Sequence, residues 1–151
     1  MASATTVKLV ISSEVRLVDV VHSASETMAG IAGFDEDQSL NVGLAVREAV
    51  INAIVHGNKR DPSRRVDVVL KARPRSITAQ VRDQGSGFDI DAMQDPTSEA
   101  NILNTSGRGI LMMRAFVDDV GFKYREGRGT EVTLKARLKR GRRDDNGGSE
   151  R

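Results

Sequence analysis

Residues 47–58 read REAVINAIVHGN, and this stretch decides the fold because it places one narrow polar line on an otherwise apolar helix. At about 100° per residue, Glu48, Asn52 and His56 fall on one side of the helix, and Asn41 lies on the same side two turns earlier. The pattern fits the floor of a cleft or a helix partly buried by a partner, and this helix alone does not separate the two. The opposite half is apolar and comprises Val42, Val46, Ala49, Val50, Ala53 and Ile54.

The polar line combines groups suited to metal binding and proton transfer. Glu48 precedes Asn52 by one helical turn, so a possible proton acceptor stands beside a hard oxygen ligand. Mg²⁺ takes few protein oxygens when phosphates and water supply the others, so one Asn carbonyl suffices. A neighbouring carboxylate can polarise an attacking nucleophile. His56 is either a third polar contact or a histidine near the negative end of the helix dipole, and we favour the second interpretation.

A second polar element follows a predicted strand, where residues 83–87 read DQGSG. A buried Asp83 could accept a hydrogen bond from the exocyclic amine of adenine, which guanine lacks. Gly85 and Gly87 would let a base or ribose approach the backbone. The alternative interpretation is a plain Asp-x-Gly turn.

Two further glycine pairs lie at the ends of predicted elements. Residues 106–109, SGRG, open a predicted helix, so free backbone N–H groups and the positive dipole end would face a phosphate. Arg108 would add charge there or lie on the surface. Residues 127–130, GRGT, form a hairpin turn, after which Thr130 would point its hydroxyl at the adenine or fill a strand position. Neither the standard phosphate-binding loop nor Gly-x-Gly-x-x-Gly after a strand is present.

The order of predicted elements is strand, helix, helix, hairpin, long loop, helix and hairpin. Such an order favours an α+β two-layer sandwich, with a mixed, mostly antiparallel sheet and helices on one face. The long loop, residues 84–106, has the length of a functional lid, and we expect it to be disordered without nucleotide. The predicted strands are residues 5–11, 66–72, 76–82, 120–124 and 130–138, with Pro74 at the first hairpin turn and 127–129 at the second.

The predicted helices have recognisable end signals. The first begins at a Ser12 or Ser13 cap, with Glu14 in its first turn, and ends near Gly33. The second runs from Asp35 to about His56, and the third covers residues 109–117. The expected core positions of the first helix are Val15, Val18, Val21, Met28 and Ile31.

Composition bounds the remaining possibilities. The chain has 151 residues, no cysteine and a net charge of +2, which predicts one domain, residues 1–138, in a reducing, cytoplasmic compartment. We find no secretion signal and no stretch long enough to span a membrane. Residues 139–151 form a basic and then polar tail that we expect to be disordered. The basic run at 135–143 lacks interleaved aromatic residues, so a solvated strand and tail is favoured over a nucleic-acid patch.

Taken together, these stretches resemble the boxes of the Bergerat-fold (GHKL) ATPases, and most closely those of the anti-sigma serine kinases. Residues 47–58 resemble the first box, 83–87 the second, and Gly107-x-Gly109-Ile-x-x-Met the third, followed by Gly129-Thr130. The resemblance covers roughly residues 6–138. The chain is too short for a gyrase or mismatch-repair ATPase, and His22 does not lie in a phosphoacceptor box of the histidine kinase type.

The resemblance implies a role for each matching residue. Glu48 would be the catalytic base, Asn52 the Mg²⁺ ligand and Asp83 the adenine-binding carboxylate. The remaining ATP-binding positions would be Gly85, Gly87, Ser106, Gly107, Arg108, Gly109 and Thr130.

The resemblance also implies partners. The chain would be a homodimer that holds a sigma factor inactive and phosphorylates a serine or threonine of a STAS-type anti-anti-sigma protein with ATP. Residues 95–105 lack the arginine that some relatives carry before the Ser-Gly pair. A regulatory module that binds nucleotide without phosphoryl transfer is therefore the alternative hypothesis. A basic single-strand nucleic-acid binder, resting on residues 135–143 alone, is the third.

Overall fold

A computed structural model of the protein describes residues 3–85 and 105–139. In the first range, strand β1 (Thr5–Ser12) and a 3₁₀ turn (Val15–Leu17) lead into α1 (Val18–Ala32), α2 (Glu36–Asn52) and a π-helical turn (Ala53–Gly57). The hairpin β2 (Arg65–Arg73) and β3 (Ser76–Arg82) follows. The second range contains α3 (Thr105–Phe116), β4 (Asp119–Arg125) and β5 (Gly129–Arg137).

The five strands form one sheet in the order β1-β2-β3-β5-β4, and every neighbouring pair among them is antiparallel. The predicted two-layer α+β fold is confirmed, and the described sheet is wholly rather than mostly antiparallel. Both predicted hairpins are present, with the first turn at Pro74 and Arg75 and the second after Arg125. β5 is an inner strand although it is last in sequence, because it pairs with β3 on one side and β4 on the other.

The core lies between one face of the sheet and the helices. Alternate residues of β2, β3 and β5 point to this face, as the register of Leu70, Ala79 and Leu134 shows. The apolar half of α2 predicted from the sequence is buried at every position, from Val42 to Ile54. α1 adds Val18, Val21 and Met28. The opposite face of the sheet carries the polar residues of each strand.

α2 begins at a capping box and ends earlier than predicted. The Asp35 side chain accepts a hydrogen bond from the backbone N–H of Gln38, whose side chain accepts one from the Asp35 N–H, a capping box that fixes the start. The end differs from the prediction. The α-helix stops at Asn52, and residues up to Gly57 form a π-helical turn instead of continuing it to His56.

The predicted start of α1 is wrong. Ser13 does not cap a helix, because its hydroxyl donates a hydrogen bond to the Arg64 carbonyl at 2.8 Å. A 3₁₀ turn intervenes, and α1 begins at Val18 with no side-chain cap. Two expected core residues, Val15 and Ile31, are 46% and 58% exposed. The predicted end is correct, since Gly33 closes the helix with φ 102°, a left-handed conformation suited to glycine.

The helix predicted for residues 109–117 is present as α3, which begins earlier, at Thr105. The interior of the predicted lid (residues 86–104, including Gly87) and most of the predicted tail (residues 140–151) lie outside the described residues. In the part of the chain that the structure describes, no helix is long and apolar enough to cross a membrane.

Candidate functional site

Asn52 stands out in the core because it is a polar side chain without a partner. It is 1% exposed, and neither its Oδ1 nor its Nδ2 has a hydrogen-bond partner among the described residues. Leaving a buried amide unpaired costs roughly 1–3 kcal/mol for each lost group. Buried unpaired groups are rare in native proteins, and a bound water, a bound ion or a catalytic role is among the usual reasons for keeping one. An amide oxygen is a ligand type that Mg²⁺ accepts, so this side chain fits a metal-binding role.

Glu48 lies one turn before Asn52 on the same helix and is half-buried. Burial raises the pKa of its carboxyl group, and the nearby Arg47 guanidinium lowers it to a smaller extent. Arg47 itself points away toward Asp19 of α1, with which it forms an ion pair at 2.5 Å. A carboxylate with a raised pKa is a stronger proton acceptor, which is the property a general base needs.

Helix α3 meets Glu48 at Gly109. A methyl group at this position would lie 2.5 Å from the Glu48 Oε2 atom, so the absence of a side chain lets the helix approach the carboxylate. Residues 105–108 form the first turn of α3, and the N–H groups at the start of a helix have no partner within it. Gly109 is the fifth residue, so its N–H lies beyond that turn. The side chains of Ser106 and Arg108 are outside the described part of the structure.

Asp83 follows β3 and is 2% exposed. Its Oδ1 accepts hydrogen bonds from the backbone N–H groups of Gly85 at 2.9 Å and Thr130 at 3.0 Å. The Asp83 N–H in turn donates to the Thr130 carbonyl at 3.0 Å. Burial raises the pKa of Asp83, while the two N–H donors and the charge of Arg64 act in the opposite direction. The carboxylate is therefore oriented by the backbone of two separate segments.

Three glycines allow the backbone to close around Asp83. A side chain at Gly57 would overlap the Asp83 carboxylate, and one at Gly129 would overlap the Asp83 main-chain carbonyl. A side chain at Gly85 would overlap the Gly57 carbonyl. Gly129 also has φ 86°, which disfavours any other residue. The π-helical turn, the segment after β3 and the start of β5 therefore form one close-packed wall around a single carboxylate.

Asn58 is a site residue that the sequence interpretation missed. It is fully buried and links three segments. Its Nδ2 donates to Ser13 Oγ at 2.8 Å and to the Arg65 carbonyl at 3.0 Å, and its Oδ1 accepts from the Gln84 N–H at 2.7 Å. In the sequence, Asn58 is only the last residue of the stretch 47–58, and nothing in that stretch separates a buried asparagine from a solvated one.

Other polar residues singled out from the sequence lie apart from these groups or play a different role. His56 lies in the π-helical turn, where burial, followed by the charges of Lys59 and Arg60, lowers its pKa. His56 lies in the last turn of this helical segment, and its lowered pKa favours the neutral ring. Asn41 lines a separate groove with Phe34 and Phe116 at the opposite end of α2.

The structure brings Glu48 against the start of α3, and it brings Asp83, Gly85 and Thr130 together with Gly57. The π-helical turn connects these two groups, because it begins directly after Asn52 and ends at Gly57. π-helical turns inside helices occur frequently at functional sites. The described residues contain no group of three or more His, Asp or Glu side chains that could hold a metal ion by themselves.

Comparison with known proteins agrees with this geometry. Residues 11–136 match the histidine kinase-like ATPase domain, and the chain belongs to that family of nucleotide-binding domains. The similarity extends to particular relatives. The anti-sigma F factor of Clostridium acetobutylicum is 32% identical over 124 residues, which cover 80% of this chain and 82% of that protein. The anti-sigma F factor of Geobacillus stearothermophilus is 34% identical over 102 residues, or 66% and 69% of the two chains.

A solved structure supports the fold. The crystal structure of the RsbU and RsbW domains of a Mycobacterium tuberculosis protein matches with a TM-score of 0.64 at 21% identity. The match covers 90% of this chain but only 33% of that larger chain. The resemblance to the GHKL ATPases and their anti-sigma group is thus confirmed.

Proposed function

We propose that this chain is an ATP-dependent protein serine/threonine kinase that acts as an anti-sigma factor. The observation that carries the proposal is the buried Asn52, whose amide has no hydrogen-bond partner among the described residues, one turn from the half-buried Glu48. The similarity to anti-sigma F factors supports the regulatory part. A sigma factor would be the bound partner, and a STAS-type anti-anti-sigma protein would be the phosphoacceptor. The protein would act in the cytoplasm as a homodimer, with residues 1–138 as the ATP-binding domain.

Each wall of the site has a distinct task in ATP binding. Asp83 would accept a hydrogen bond from the adenine amine, with Gly85, Gly87 and Thr130 around the base. The first turn of α3, with Ser106, Gly107 and Arg108, would face the phosphates, since its free N–H groups and dipole favour an anion. Gly109 would let that helix lie against Glu48. The Asn52 Oδ1 would hold Mg²⁺, which when bound neutralises charge on the phosphates.

Phosphoryl transfer then requires a proton acceptor for the incoming hydroxyl group. The serine or threonine oxygen of the partner forms a bond to the γ-phosphorus, and the bond from that phosphorus to the β–γ bridging oxygen breaks, leaving ADP. Glu48 accepts the hydroxyl proton. Burial raises the pKa of Glu48, which makes its carboxylate a stronger proton acceptor.

The first test changes Glu48 to Gln, which keeps the size and removes the base. We expect ATP affinity within a few-fold of the wild type and loss of phosphoryl transfer by a factor of roughly 10²–10⁴, the usual contribution of general base catalysis. Transfer of radiolabelled phosphate to the partner protein and calorimetric titration of ATP measure the two quantities. Glu36→Gln is the matched control, because it removes an exposed carboxylate from the same helix. Unchanged phosphoryl transfer in Glu48→Gln would show that Glu48 is not the base. If the wild type binds ATP but transfers no phosphate, the chain is a nucleotide-binding module and not a kinase.

A second test concerns the metal. Asn52→Ala should abolish the difference between ATP affinities measured with and without Mg²⁺, since the amide oxygen that would hold the ion is gone. Asn41→Ala, on the same helix but in the separate groove, should leave that difference intact. Equal Mg²⁺ dependence in both variants would assign the ion to other residues.

A further inference from the structure

The face of the sheet opposite the helices carries a second concave surface. It consists of residues from three adjacent strands, and we call it the outer trough. Its cavity volume is about 270 Å³. The lining residues are Val69, Lys71 and Arg73 of β2, Ser76, Thr78 and Gln80 of β3, and Lys135 of β5.

The surface is concave because short side chains on β3 lie between long side chains on the two neighbouring strands. β3 contributes the short hydroxyl residues Ser76 and Thr78 in the middle. Lys71 and Lys135 are the direct neighbours of Thr78 on its two sides. With strands about 4.8 Å apart, the two lysine backbones are roughly 10 Å apart. The floor is therefore made of hydroxyl groups, and the walls are the stems of cationic side chains.

The cations around the trough are not neutralised by the protein. Lys71, Arg73 and Lys135 form no ion pair with any described residue, and no carboxylate lines the cavity. Arg137, the neighbour of Ser76 in the register, adds another cation at the same end. Asp119 is paired with Lys135 in the register but lies on the far side of it, away from β3.

The other end of the same face differs in charge. There Arg82 forms an ion pair with Glu131 at 2.5 Å, and Asp67 is the neighbour of Arg82 in the register. Charges of both signs are therefore balanced near the end of β3 that leads to Asp83. Around the trough, cations are in excess among the described residues. Unlike charges placed close together attract, and like charges repel, so the arrangement around the trough favours an added anion.

The volume of the trough and its hydrogen-bond donors limit which anions are expected to bind there. A volume of 270 Å³ is at the lower end of small-ligand sites and suits a compact molecule. The arginine fork, two hydroxyl groups and the Gln80 amide can donate hydrogen bonds to several oxygens at once, which matches the oxygens of linked phosphate groups. A second copy of this chain is disfavoured as the occupant, because its own trough would place cations against these cations. Nucleic acid is disfavoured because no aromatic residue lines the trough to stack on a base.

We propose that the outer trough binds a compact oligophosphate at a site separate from the nucleotide site. The ligand is either a free inorganic oligophosphate or the phosphate chain of a nucleotide, and both present the same groups to Lys71, Arg73 and Lys135. The trough lies on the opposite face of the sheet from Asn52 and Asp83. Its occupation therefore does not depend on the kinase assignment.

The test is a nitrogen-15 NMR titration of the full chain with inorganic triphosphate, without Mg²⁺ and without added nucleotide. We expect saturable shifts at the amides of Thr78, Gln80 and Lys135. The double variant Lys71→Ala/Lys135→Ala should bind at least tenfold more weakly, because two charge-assisted contacts are lost. The matched control Lys123→Ala/Arg125→Ala removes two exposed cations from the end of β4 that lies away from the trough and should bind within twofold of the wild type.

Several outcomes would overturn the proposal. One is the absence of local shifts at millimolar triphosphate, and another is equal weakening in both double variants, which would indicate diffuse attraction. Binding of citrate as tight as that of triphosphate would overturn the phosphate assignment. A GTP titration identifies the source, since shifts at Thr78 with GTP support a nucleotide chain and their absence supports a free oligophosphate. Binding at the nucleotide site is read separately from the amides around Asp83, so failure of the kinase proposal does not affect this result.

Discussion

The substitution Asn58→Ala tests whether the wall around Asp83 is held in place by one buried amide. In the wild type, the Asn58 side chain connects β1, the start of β2 and the segment after β3 through three hydrogen bonds of 2.7–3.0 Å. Alanine removes all three. The Gln84 N–H and the Arg65 carbonyl then lose the partner that Asn58 provides, whereas Ser13 Oγ still donates to Arg64.

The expected cost follows from these two backbone groups. Each buried group that loses its partner costs about 1–3 kcal/mol, and because both of these hydrogen bonds are only part-buried, water recovers part of that cost. We expect a net loss of about 3 kcal/mol in the free energy of unfolding. In a domain of this size each kcal/mol lowers the melting temperature by roughly 2–4 °C, so the variant should melt roughly 6–12 °C below the wild type.

The assay is urea and thermal unfolding followed by circular dichroism, with Ser13→Ala as the matched control. That variant removes one of the partners of Asn58, but the Arg64 carbonyl keeps the Ser13 N–H as a donor at 3.2 Å. It should therefore lose only about 1 kcal/mol. ATP affinity should also fall more in Asn58→Ala, because Gln84 follows Asp83 directly. A loss for Asn58→Ala no larger than that for Ser13→Ala would refute the argument.

Two further predictions concern the same wall. Gly85→Ala should destabilise the protein by about 1–3 kcal/mol in thermal unfolding, because the new methyl group meets the Gly57 carbonyl, whereas Gly121→Ala, with open space, should change little. Asp83→Asn should remove a pH dependence. The raised pKa of Asp83 means that the native state holds this proton more tightly than the unfolded chain does, so its contribution to stability decreases as pH rises from about 3.8 to the raised value and is constant above it. Urea unfolding across this range should therefore show the wild type losing stability relative to Asp83→Asn as pH rises, and parallel curves would contradict the assignment.

Periodicity was sufficient to predict the layers of this fold. The alternating apolar residues of β2 and β3 and the apolar half of α2 predict which side chains are buried. These side chains are buried in the structure. The start of α1 could not be predicted in this way. Ser13 has the composition of a helix cap, but a carbonyl brought by residue 64 takes its hydroxyl, and that contact spans 51 positions in sequence. Local propensity carries no information about such a partner.

The candidate site likewise contains features that the sequence predicts and features that depend on distant contacts. Glu48 and Asn52 are one turn apart on one helix, so their adjacency is a local property that the sequence contains. The packing of Gly57 and Gly85 against each other and against Asp83 depends on the π-helical turn, whose extra residue has no clear sequence signal. The role of Asn58 depends on three distant segments meeting, which explains why it was missed.

The two halves of the candidate site, around Asp83 and around Asn52, differ in how many contacts within the protein fix the polar side chain. Around Asp83, three glycines and two backbone hydrogen bonds fix the carboxylate before any ligand arrives. Asn52, by contrast, keeps both polar atoms of its amide unpaired among the described residues, at a cost in stability. A ligand that gives this amide a partner stabilises the native state in proportion to its affinity. In the proposed ATP site, the wall around Asp83 would thus be preformed for the base, whereas the surroundings of Asn52 would gain stability only with a ligand. We therefore expect bound ATP and Mg²⁺ to change the contacts of Asn52 and Glu48 more than the wall around Asp83.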